Sequence, residues 1–145
     1  MKVFCTGYFL EVISDLEKKN NYSGIFKDVC TYFSDKNIDE LHITKDILRN
    51  SPGIHSINKY RIPNSTIGIG KRGSYRCISM CNVKSDKIFV DFIYPKTGSE
   101  GSENITKEGI KSIAINITNS IQSGNIYEID LQNEQIIDLK GNRIK

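Results

Sequence analysis

The spacing of apolar residues changes period partway along the chain, and this change restricts the fold more than any other feature. Phe9, Val12, Ile13 and Leu16 fall at i, i+3, i+4 and i+7, one face of a helix, and the polar run "DLEKKNN" ends it. Phe26, Val29, Cys30 and Phe33 repeat the pattern, with Ser23 as the expected N-cap. In "IHSINKYRI" the period becomes two. Ile57, Lys59 and Arg61 then share one strand face, and Asn58, Tyr60 and Ile62 share the other.

The segments between and after these follow from turn chemistry. Asn37 to Asn50 is weakly periodic and predicts a short helix around Ile47, stopped by "NSPG". Pro63 ends the first strand, and Gly70 and Gly73, flanking Lys71 and Arg72, read as a hairpin turn into "YRCISMCNV". The short link "KSD" makes "KIFVDFIYP" its antiparallel neighbour, and apolar side chains on both faces mark that strand as central. Beyond a Gly/Ser-rich loop, Thr106 caps a helix with Ile105 and Ile110 as its hydrophobic staple. Ile110, Ile113, Ala114, Ile117 and Ile121 form its buried face, and Gly124 is its stop. From Asn125 the tail reads as a strand through Ile129, a turn near Asn133 and a second short strand, "QIIDL". The expectation is a single α+β domain over residues 1–145. Two N-terminal helices pack on a small antiparallel sheet, a further helix closes a core of about residues 1–124, and residues 125–145 add a short strand extension.

A chain of 145 residues can bury one core without disulfide staples. The four cysteines lack the dense, regular spacing of a small secreted scaffold, so free buried thiols are expected. Cys77 and Cys81 are not spaced as a zinc knuckle, and only His42 and His55 could complete such a site, so no metal and no cofactor is expected. No apolar run approaches the ~20 residues of a membrane helix, and the N-terminus does not read as a secretory signal. A cytoplasmic protein with no membrane partner is the expectation.

Charge is unevenly distributed. From Ile47 to Ser85 there is no Asp or Glu, while Arg49, Lys59, Arg61, Lys71, Arg72, Arg76 and Lys84 are cationic. The rest of the chain is net acidic, although the whole carries +3. Such a patch suits a polyanionic partner. The glycines of "IGIGKRGS" do not make a phosphate-binding Walker loop, because Ser65 stands where its first Gly is required and Arg72 where a Ser or Thr must follow the Lys. No Ser-His-Asp arrangement or carboxylate pair is legible. Cations on adjacent strands instead suit phosphodiester chemistry, since attack at phosphorus builds charge that fixed Lys and Arg groups stabilise. RNA carries its own nucleophile in the 2′-hydroxyl, and Tyr60, Tyr75 and Tyr94 are candidates to stack on unpaired bases.

The run "KYRIPNSTIGIGKRGSYRCISMCNVKSDKIFVDFIYPK", followed by a polar loop and "NITKEGIK", resembles the core of the RelE and HigB superfamily of bacterial toxins. The likeness covers roughly Ile54 to Ile117, and "YFLEVISDLEK" stands in place of the family's opening helix. It implies a microbial-RNase-like fold and a metal-independent mRNA endoribonuclease, usually acting on the translating ribosome and leaving a cyclic phosphate. A cognate antitoxin is the implied protein partner. By position, Lys59 and Arg61 match the family's basic strand pair, Arg76 the Arg after the turn, and Lys96 the basic residue after the central strand. The implied roles are base for Lys59, charge stabiliser for Arg76, and leaving-group protonation for Lys96 or Arg61; Lys71 and Arg72 hold RNA backbone. The loop "TGSEGSENIT" lacks the Tyr or His that many members place there, and ParE-type relatives poison gyrase without cleaving RNA. A gyrase inhibitor or noncatalytic RNA binder of the same fold is therefore the alternative.

Overall fold

The structure, a computed structural model, describes residues 1–42, 47–51, 55–68, 74–96 and 106–145. Its first element is a strand that helical periodicity alone did not predict. Strand β1 (Lys2–Thr6) is buried on both sides: Val3 and Cys5 face one cluster of core residues and Phe4 faces the other. Thr6 ends the strand and caps α1 (Gly7–Glu17), its hydroxyl accepting Phe9 N–H at 3.2 Å. Phe9, Ile13 and Leu16 form the buried face of α1 as expected, with Val12 partly buried beside them.

After a 3-10 turn at Asn20–Tyr22, helix α2 (Ile25–Ser34) buries Phe26, Val29, Cys30 and Phe33. Its N-cap is Gly24, with no capping side chain. The expected cap, Ser23, instead donates to Asn20 O at 3.3 Å, one turn too early to reach the helix. Helix α3 (Ile38–His42) follows. The helix expected around Ile47 is a strand: β2 (Ile47–Ser51) pairs antiparallel with β3 (His55–Ile62), and sheet pairing overrides weak local preference there.

Strands β4 (Tyr75–Asn82) and β5 (Lys87–Pro95) continue antiparallel from β3, joined by the turn Val83–Asp86, as expected. Helix α4 (Lys107–Ser123) is capped by Thr106, whose hydroxyl accepts Gly109 N–H at 3.0 Å. It ends at Gly124, whose φ of 74° is the left-handed conformation that glycine adopts most easily. Its buried face is Ile113, Ile117 and Ser120, with Ile110 and Ala114 partly covered. Ile121 departs from expectation at 37% exposed, because the face rotates onto Ser120 at the last turn. The staple residue Ile105 lies outside the described residues.

The tail is part of the main sheet. Strand β6 (Ile126–Asp130) pairs antiparallel with β1 and then with β7 (Gln135–Ile137), and Ile129 and Ile136 are core residues. The result is an α+β fold on a seven-stranded sheet ordered β2-β3-β4-β5-β1-β6-β7. The sheet is mixed where a small antiparallel one was expected, because β1 runs parallel to β5. Residues of α1, α2 and α3 fill the core on one face, and α4 covers part of the other. All four cysteines are free and buried. Among the described residues no helix is long and apolar enough to cross a membrane.

Candidate functional site

Alternation along β3 and β4 places the cations. Ile57 on β3 and Ile78 and Met80 on β4 pack in the core under α4, so Lys59, Arg61 and Arg76 belong to that face. Across the sheet Arg61 lies opposite Arg76, and Arg76 opposite Tyr94 on β5. Three strands at their ordinary spacing set this row across roughly 10 Å. Lys59 lies opposite Ile78, one position along the same face. Lys96, just past β5, is held by its backbone N–H to Ser74 O at 3.3 Å, which keeps it beside the start of β4.

Exposure divides the row. Arg61 is exposed and Lys59 and Lys96 are half-buried, whereas Arg76 is 8% and Tyr94 4% exposed. Neither Lys59 nor Arg61 forms an ion pair among the described residues. Arg76 donates from Nη1 to Tyr75 O at 3.4 Å. The Tyr94 hydroxyl is buried, with no hydrogen-bond partner among the described residues. Burial pushes its pKa up, and the nearby Arg76 charge opposes that rise. The buried phenol lies beside the guanidinium, closed to a phosphate oxygen as it is to a base. A base-stacking role does not fit its 4% exposure.

The loop after β3 is fixed from the opposite layer. Asn64 donates to Asn21 O at 2.9 Å, and buried Asp28 accepts Ser65 N–H at 3.1 Å. These bonds tie the end of the Lys59–Arg61 strand to α2 and the turn before it.

Two expected stacking residues face the wrong way. Tyr60 and Tyr75 alternate onto the face covered by α1 and α2, where both are fully buried. Tyr60 sits 3.0 Å from Cys81 Sγ through its hydroxyl and edge-on to Phe33, so neither ring is open to a base. Lys71 and Arg72 lie outside the described residues.

Sequence reasoning missed Asp91, a single carboxylate inside the apolar run "KIFVDFIYP". It is the extra residue of a β-bulge: Ile78 pairs with Phe92 and Ser79 with Val90, leaving Asp91 unmatched. The carboxylate is 1% exposed, and two donors meet its Oδ1, the Thr6 hydroxyl at 2.8 Å and Asn116 Nδ2 of α4 at 2.6 Å. Burial raises its pKa above the ordinary aspartate value, and those two bonds oppose the rise. Phe92 next to it stacks with Tyr8 at 5.8 Å and lies 5.4 Å from Tyr94, so aromatic rings run from the bulge to Arg76's row. A charged residue interrupting a central strand was the legible signal. Comparison of the chain with protein-family models, with curated proteins and with solved structures finds no match.

Proposed function

We propose that the chain is a RelE- and HigB-like toxin that cleaves messenger RNA without a metal, held in check by a cognate antitoxin. The observation that carries this reading is the row Arg61, Arg76 and Tyr94 across three adjacent strands, flanked by Lys59 and Lys96. Arg61 and Lys96 hold the RNA backbone near the row, since phosphate contacts set position without reading sequence. Lys59 removes the 2′-hydroxyl proton and the oxygen attacks the adjacent phosphorus. Arg76 balances the charge that grows on the nonbridging oxygens. The leaving 5′-oxygen takes a proton from Lys96 or Arg61, and the phosphate is left as a 2′,3′-cyclic ester.

The 8% exposure of Arg76 and 4% exposure of Tyr94 favour a second reading, a noncatalytic RNA binder that uses only the outer cations. Purified protein and single-stranded RNA in the presence of EDTA separate the two. Cyclic-phosphate products that disappear with Arg76→Ala support the nuclease. Retention without cleavage supports the binder. Full cleavage by a protein lacking both Lys59 and Arg76 would sink the assignment of the row. Induced expression adds a cellular arm: growth arrest with intact messages and damaged DNA would point to a gyrase poison instead.

A further inference from the structure

Asp28 is the one charged residue on the buried face of α2, and it is 7% exposed. Its Oδ2 accepts Ser65 N–H at 3.1 Å, while Oδ1 takes no hydrogen bond from any described residue. Beside it lies a pocket of about 290 Å³, bounded by α2 on one side and by Pro63 and Ser65 of the loop after β3 on the other. Asp35, the C-cap of α2, falls at i+7 from Asp28 and so lines the same side, with the Thr31 hydroxyl between them. No basic residue stands in the last turn of α2, so its negative end is uncompensated there. Neither Asp28 nor Asp35 forms an ion pair among the described residues. The remaining wall is the ring of Tyr32, held edge-on by Phe33 at 5.1 Å and tilted on Tyr60 at 5.9 Å. Lys36 Nζ lies 4.8 Å from the centroid of that ring, a cation already resting on the aromatic face.

We propose that this pocket binds a guanidinium, the head group of an arginine side chain or of a free alkylguanidine. Asp28 and Asp35 against Lys36 leave the pocket with an excess negative charge, which a single cation neutralises. The acceptors select the kind of cation. Ser65 N–H occupies half of the Asp28 carboxylate, so acceptance is spread over Asp28 Oδ1, the Thr31 hydroxyl and Asp35 rather than concentrated in one fork. A flat cation with donors on every edge reaches separated acceptors while lying on the Tyr32 ring, and it is more weakly hydrated than an ammonium. The Lys36 ammonium marks the ring face that the guanidinium takes over, and its flexible four-carbon stem lets it swing out to solvent. The pocket is fixed before any ligand arrives. Asn64, 2% exposed, ties the loop to Asn21 O at 2.9 Å, and Ser65 ties it to Asp28. Helix α2 packs on the face of the sheet opposite the cationic row, so the pocket serves a ligand of the opposite charge and stands independently of the RNA reading.

The test is an NMR titration of the full chain with N-acetylarginine amide, with the Ser65 amide as reporter because its N–H is bonded to Asp28. The uncharged isostere N-acetylcitrulline amide is the control. The arginine compound should shift the Ser65 signal saturably, and the citrulline compound should bind roughly tenfold or more weakly. Asp28→Asn keeps a carbonyl for Ser65 N–H and should weaken binding by roughly tenfold, the worth of a hydrogen bond to a charged group. Asp35→Asn, at an exposed position, should weaken it by roughly twofold to fivefold and decides the matter if the Asp28 variant does not fold. Lys36→Gln removes the competing cation and should tighten binding, a gain that a merely structural lysine would not give. Agmatine separates the two sources: tighter binding of the arginine amide identifies a partner's side chain, tighter binding of agmatine a free guanidine, and either upholds the site. Equal binding of the arginine and citrulline compounds overturns the proposal, as does arginine binding that neither Asp28→Asn nor Asp35→Asn weakens.

Discussion

Replacing Thr6 with valine removes one hydroxyl that performs two tasks. It accepts Phe9 N–H at 3.2 Å, capping α1, and donates to Asp91 Oδ1 at 2.8 Å. Losing a threonine N-cap costs about 1 kcal/mol. Losing a hydrogen bond to a charged group costs about 1.5–3 kcal/mol. Thr6→Val should therefore destabilise the chain by about 2.5–4 kcal/mol. Thr106→Val is the internal control, because Thr106 caps α4 in the same way, accepting Gly109 N–H at 3.0 Å, and is exposed. It should cost about 1 kcal/mol. For a chain of this length 1 kcal/mol moves Tm by roughly 2–4 °C, so the two variants should melt several degrees apart. The sign with pH is also fixed. Burial raises the folded-state pKa of Asp91, so its contribution to stability is fully present below the ordinary carboxylate range and is lost as pH rises through the raised value. The Thr6 bond offsets part of that loss by favouring the ionised form. The cost of Thr6→Val is thus greatest above the folded-state pKa and shrinks toward the cap value as pH falls through it. Urea denaturation of both variants across acidic and neutral pH measures this. Equal costs for the two threonines, or a Thr6→Val cost that ignores pH, would refute the claim that Thr6 supports a buried carboxylate.

Three further outcomes are expected. RNA affinity should fall with salt with a log–log slope of roughly −1.4 if Arg61 and Lys96 each hold one phosphate, and Arg61→Ala should flatten it by roughly 0.7; filter binding at several salt concentrations reads both. Truncation after Gly124 removes β6 from β1 and takes Ile129 and Ile136 out of the core, so cooperative thermal unfolding should be lost rather than merely shifted. Burial pushes the Cys30 thiol up to about 12 and also raises Cys5, Cys77 and Cys81, so the native protein should resist a thiol reagent at mild alkaline pH and expose all four thiols in urea.

What could be read from the sequence was whatever local pattern determines. Thr106 and Gly124 bound α4 because cap chemistry acts within one turn, and the Ile57/Tyr60 alternation on β3 survives because its two faces meet different layers. Strand β1 was not legible: in "KVFCT" apolar residues face both ways, so no period of two appears, and its identity depends on β5 and β6 arriving on either side. The tail strands were visible as strands, but their place beside β1 is a long-range fact that no window contains. At the site, the shared face of Lys59 and Arg61 followed from alternation, and Arg76 joined them once β3 and β4 paired in register. The burial of Tyr60 and Tyr75 follows from the same alternation, which sets both rings on the face opposite the cations.

Parity fails on β5, and the candidate site depends on that failure. On β5, Ile88 and Val90 face the layer of α1 and α2, so uninterrupted alternation would send Phe92 and Tyr94 to the same side. Asp91 is the unmatched residue that reverses the phase. After it, Phe92 and Tyr94 emerge on the α4 face, opposite Ile78 and Arg76, while Ile93 takes over in the other layer. The same residue brings a carboxylate to the point where β1 leaves the sheet, within reach of Thr6 and Asn116. A regular strand would have packed more simply. It would also have left Arg76 without a phenol beside it and Thr6 and Asn116 without the carboxylate that joins them. The tyrosine beside Arg76 and the carboxylate that joins Thr6 to Asn116 therefore owe their places to one inserted residue.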